Sequence, residues 1–151
     1  MKKTMLMVVL AALAAGSSVT AQAADRKVNL SIAAAMAAND GKEKLGDSVQ
    51  YFFAGQPTPK VIEKLGTDKT SQKTNAFGKS DEKACNWVFL SAMMRLEKRA
   101  KELGANAVVN IVSNYGNNEW ASATEFECHA GAIMAGVALK GDFVRIADGK
   151  K

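Results

Sequence analysis

The chain lacks any run of uncharged apolar residues long enough to cross a bilayer. The two that come nearest, Met5–Ala15 with eleven residues and Ala130–Leu139 with ten, are about half the roughly 20 that a spanning helix needs. Metal-ligating side chains are equally scarce. Histidine occurs once, as His129, and cysteine twice, as Cys85 and Cys128, too few for a closed tetrahedral set. A phosphate loop is missing as well. The stretch KTNAFGKS, Lys73 to Ser80, ends like one, but Lys73 occupies the position of the obligatory first glycine. No acidic strand end is placed to hold magnesium either. Lys73–Ser80 therefore predicts a turn that delivers an N-cap serine, and neither nucleotide hydrolysis nor a resident cofactor or metal is expected.

Charge of one sign is only slightly in excess. Lys2 and Lys3 account for two of the 20 basic residues, so residues 24–151 carry 18 against 15 acidic ones, a net charge of +3. Signs alternate along DGKEKLGD and RLEKRAKE, which describes a solvated surface. Lys69, Lys73 and Lys79 around Phe77 form a thin basic and aromatic patch, and a nucleic-acid partner is not expected of it.

What is present begins with a leader. Lys2 and Lys3, the apolar run Met5–Ala15 and the triplet Ala21, Gln22, Ala23 follow the order of an export signal. Residues 1–23 are predicted to be a signal peptide cut after Ala23, with a cut after Ala21 as the rival. The first cysteine is Cys85, so no lipidated N-terminus is expected. The expected location is periplasmic or secreted, with no membrane span in the mature protein. The remaining 128 residues suffice for one domain with its own core. They are divided into an N-terminal helical segment over 24–48, a single α+β domain over 49–147 and a disordered tail over 148–151.

Within the first of these, Ser31 to Gly46 is rich in alanine, with Ser31 as candidate N-cap, Gly46 as stop and a break at Asn39–Gly41. Val49–Ala54 predicts a strand, ended by Pro57 and Pro59. Lys60–Gly66 predicts a second strand, followed by a polar loop from Thr67 to Lys79. The clearest element is an amphipathic helix from Ser80 or Asp81 to Leu103. Phe89, Met93, Leu96, Ala100 and Leu103 recur at helical spacing, and Trp87, Leu90 and Met94 widen the same stripe. Asn106–Tyr115 predicts a strand buried on both faces, and TEFEC, Thr124 to Cys128, predicts another. Alternation puts Phe126 and Cys128 on one face and Glu125, Glu127 and His129 on the other. Ile133–Lys140 predicts a buried strand continuing or bending away from it, with Gly131 and Gly136 allowing a bulge or close approach by the helix. The expected order is β-β-α-β-β, a small, mostly antiparallel sheet covered by one long helix.

An exported protein with an even cysteine count is expected to form a Cys85–Cys128 disulfide. Closing a loop of about 43 residues is worth about 4 kcal/mol on the chain-entropy model. The alternative is a thiol or metal protein using Cys85, Cys128 and His129, since a helix N-terminus lowers a cysteine pKa and His129 adjoins Cys128. A cysteine–histidine nucleophile would need His129 beside Cys85.

TNAFGKSDEKACNWVFLSAM, LGANAVVNI and TEFECHAGAIMAGVALKG resemble a family of small exported bacterial proteins commonly labelled excinuclease ATPase subunit. The chain has neither the phosphate loop nor the zinc-binding cysteine pairs that such a label requires. RAKELGANAVVNI is similar, more distantly, to the helix-to-strand junction of the YbjQ-like heavy-metal-binding domains, which implies a ring-shaped homo-oligomer. It also resembles the core of the Rcs envelope-stress sensor lipoprotein, which implies a disulfide-bonded protein that is not an enzyme. These resemblances supply no active residue. The sequence thus leads to an exported, non-catalytic envelope binding or sensing module whose partner is an envelope protein or a small ligand. An oligomeric structural protein is the third expectation.

Overall fold

The computed structural model describes residues 25–147. The predicted leader, its cut after Ala23 and the tail over 148–151 lie outside the described residues. The elements run in the order β1 (Arg26–Ser31), α1 (Ile32–Ala37), α2 (Gly41–Leu45), β2 (Gln50–Phe53), β3 (Val61–Asn75), α3 (Asp81–Leu103), β4 (Ala107–Ser113), β5 (Glu125–Ala130) and β6 (Met134–Ile146). They build a mixed α/β fold around a curled sheet of six strands, two more than the β-β-α-β-β order counts.

The long strand β6 organises the sheet. One of its edges pairs antiparallel with β3 along its whole length, from Asn75 opposite Met134 to Val61 opposite Ile146. The other edge is shared, with β5 pairing at Ala135 and Gly136 and β4 pairing from Leu139 to Val144. Beyond these, β1 adds antiparallel to β5 and β2 adds parallel to β4.

Two expectations are corrected here. Arg26–Ser31, read as part of a helical segment, is a strand, with Val28 and Leu30 turned toward the core and Val28 opposite Cys128. The polar loop expected from Thr67 does not begin until after Asn75. Its residues still alternate, Asp68, Thr70, Gln72 and Thr74 being partly covered while Thr67, Lys69, Ser71 and Lys73 are exposed. Both sets are polar, so hydropathy hides the period of two, while the ladder to β6 supplies the backbone hydrogen bonds. Of the two courses expected for β6, it is the bend away from β5 that the chain takes. The chain reverses over residues 131–133, where Gly131 N–H donates to Met134 O at 2.8 Å.

Helix α3 runs over the predicted span. The Ser80 hydroxyl caps it by accepting from Lys83 N at 3.2 Å, and Gly104 ends it at φ +72°, a left-handed conformation that favours glycine. Val88, Phe89, Met93, Leu96 and Ala100 are buried against the sheet. Leu90 is covered from the other side, where α1 and α2 pack on α3. Trp87 and Met94, expected to widen the stripe, are nearly half exposed. Phe89 joins the layers, its ring 6.1 Å from Phe53 of β2 and 4.3 Å from Phe126 of β5. Each such buried phenylalanine contributes about 2–3 kcal/mol of burial.

A second, smaller apolar group of Ala107, Val109, Val144 and Ile146, with Phe52 against it, lies apart from the main core. Backbone crowding is sharpest at Gly141. A Cβ there would stand 2.7 Å from Val108 Cγ1 and 3.3 Å from Ile111 Cγ1, beside the bulge between Val109 and Val112.

Candidate functional site

Strand β5 sorts its residues to two faces, and the sorting defines the site. Cys128 faces α3 and is bonded to Cys85, with a Cα–Cα distance of 6.0 Å and both residues wholly buried. Among the described residues no cysteine is free. His129 points to the opposite face, so the Cys85, Cys128, His129 set is split. No group of three or more His, Cys, Asp or Glu side chains among the described residues is placed to hold a metal ion.

On that opposite face Glu127 and His129, two residues apart on one strand, meet groups from other elements. Glu127 Oε1 lies 2.6 Å from His129 Nε2, and Oε2 lies 3.0 Å from Lys27 Nζ on β1. The Ser113 hydroxyl on β4 accepts the Glu127 backbone N–H at 2.9 Å. Tyr115, in the turn after β4, stacks on the His129 ring with centroids 3.6 Å apart and planes 8° from parallel. That stacking needs a glycine beneath it, because a Cβ on Gly136 would come within 3.2 Å of Tyr115 Cε2. The glycine's close neighbour is this ring, not the helix. Trp120, bridged to Ser113, stands with its ring 5.4 Å from Lys27 Nζ.

Glu127 is buried, its side chain only 8% exposed. Desolvation pulls its carboxyl upward, but hydrogen bonds and charge from His129 and Lys27 outweigh burial and hold it below its ordinary value. It is therefore ionised at neutral pH with both oxygens engaged. Such a carboxylate orients its neighbours and is poorly placed to act as a general base. Nε2 of His129 is taken up by Glu127, and its Nδ1 has no hydrogen-bond partner among the described residues.

Beside the cluster lies a hollow of about 410 Å3 lined by Lys69, Ser71, Asn114, Asn117 and Ala138. Lys69 Nζ donates to Asn117 Oδ1 at 2.6 Å. Farther along the same face Lys140 pairs with Glu119 at 2.5 Å, and Glu119 holds the Lys140 ammonium above its ordinary value.

In the KTNAFGKS segment Lys73–Asn75 end β3, and the turn that delivers Ser80 is confined to the residues after them. Asn75 Oδ1 accepts from Phe77 N at 2.8 Å and Lys79 N donates to Ala76 O at 3.0 Å. Sequence reasoning named Cys85, Cys128 and His129 and missed Lys27, Tyr115 and Trp120. Glu127 and His129 at i and i+2 were the available signal. Compared with family models and with curated proteins, the chain matches none.

Proposed function

We infer that the protein is an exported, non-catalytic binding module, with the Glu127–His129–Tyr115 face and its neighbouring hollow as the ligand-contacting surface. The observation that carries this reading is the division on β5. Cys128 is consumed in a buried disulfide, and His129 is fixed on the far face by a carboxylate and a stacked ring, so the two neighbours do not form a nucleophile and base. What the open face offers is recognition chemistry, comprising an aromatic ring, an imidazole nitrogen, amides from Asn114 and Asn117 and the ammonium of Lys69. Export is supported by the leader-like residues 1–23 and by a cross-link that persists in oxidising compartments. The resemblance to small exported bacterial proteins points the same way.

The test is the N-terminus and location of the protein in its own host. A chain that begins at Ala24 and is recovered from the periplasm or the medium supports the reading. A chain that retains Met1–Ala23 in the cytoplasm overturns it.

A further inference from the structure

Two turns lie side by side at the end of the β3–β6 ladder. Asn75 pairs with Met134, and Ala76 N–H donates to Ile133 O at 2.7 Å. The large apolar side chains of these turns point into solvent, with Phe77 76% exposed, Ile133 65% and Met134 45%. The exposure is fixed by the backbone. Ala76 is buried, Asn75 holds the Phe77 N–H, and Gly78 turns the chain at φ +69°, so Phe77 is presented rigidly outward. One and two turns into α3 come Lys83 and half-exposed Trp87, whose ring lies 5.1 Å from Lys44 Nζ. With Lys79, Thr74 and Asn39 they line a hollow of about 290 Å3.

Around the Phe77 turn itself cations outnumber free carboxylates. Lys73, Lys79 and Lys83 form no ion pair among the described residues, and Asp81 is already paired with Arg26 at 2.8 Å. Asp25, beside Gly131, and Glu82 are the nearest opposing carboxylates, and Asp40 and Glu43 lie farther off, flanking Lys44. Protruding apolar tips ringed by flexible cations match the layering of an anionic bilayer, in which aromatic and aliphatic groups reach the acyl boundary and ammonium groups meet lipid phosphates.

We propose that the Phe77/Ile133 end docks the protein on anionic lipid surfaces. The inference goes beyond the binding-module reading, because it uses a different end of the molecule and stands or falls without the Glu127–His129 face.

The test uses residues 24–151, so that the apolar run of the leader takes no part, with the disulfide intact. Trp120→Phe leaves Trp87 as the single tryptophan, excited selectively at wavelengths beyond tyrosine absorption. The protein should sediment with vesicles of phosphatidylglycerol and phosphatidylcholine and not with phosphatidylcholine alone, with a blue shift of Trp87 emission. Phe77→Ser/Ile133→Ser, both at exposed positions and leaving the melting temperature unchanged, should weaken partitioning roughly tenfold, and Lys79→Glu/Lys83→Glu should do likewise. No binding, equal binding to both vesicles, or undiminished binding of the serine variant overturns the proposal. The last outcome would mean attraction of charge without insertion.

Discussion

Phe126 and Cys128 on one side of β5 are buried among side chains that need no partners, whereas Glu127 and His129 on the other side are covered by groups that must be matched one by one. The first environment is held by area and by a covalent bond, so geometry can shift slightly at small loss. The second is held by a carboxylate whose two oxygens each have a cation or imidazole, so losing one partner strands the others. Sheet residues one apart in sequence thus answer to different physics, and only the polar face should respond to pH.

The largest test acts on the apolar face. Cys85→Ala/Cys128→Ala opens a loop with a sequence separation of 43 and should lower unfolding free energy by about 4 kcal/mol in urea titration, independently of pH between 5 and 8. Next, Gly141→Ala forces a methyl against fully buried Val108 and Ile111. Overpacking of this kind costs about 2 kcal/mol, measurable as a lower urea midpoint with unchanged slope.

The polar face should lose less, and conditionally. Glu127→Gln removes the charge shared by Lys27 and His129 and should cost about 1.5 kcal/mol at pH 7. Because the folded carboxyl titrates below its ordinary value of 4.5, its stabilisation is complete above that value and fades as pH falls through the folded pKa. The difference between wild type and Glu127→Gln should shrink over that acid window. A difference that persists unchanged would erase the contrast between the faces. The smallest effect belongs to Ser80→Ala, which removes the cap on Lys83 N at about 1 kcal/mol, read as a drop in melting temperature without change in pH response.

How much of this was legible depended on whether polarity and period coincided. In α3 they did, since Phe89, Met93, Leu96 and Ala100 are apolar at helical spacing, and the helix ends fall where Ser80 and Gly104 predict. In β3 they did not. Thr67 to Asn75 alternates in burial while remaining polar throughout, so nothing in hydropathy separates it from a loop. Strand β1 was readable in Val28 and Leu30, but six residues beside a leader-like stretch gave little context. The disulfide followed from cysteine count and compartment. The Glu127–His129 pair was visible in strand alternation, whereas Lys27, Tyr115 and Trp120 join it through β1 and the turn after β4, at separations no local pattern reports. Burial also hides a counterexample on the helix side. The Tyr51 hydroxyl is enclosed without a hydrogen-bond partner among the described residues, and burial, with the nearby Glu97 charge, pushes its phenol well up.

The most direct test of the account is alkylation of the denatured protein, isolated from its host without reductant and weighed intact. The account predicts no label before reduction and two labels after it, on Cys85 and Cys128. Two labels taken up without reductant would mean that no covalent bond ties α3 to β5, and would contradict it.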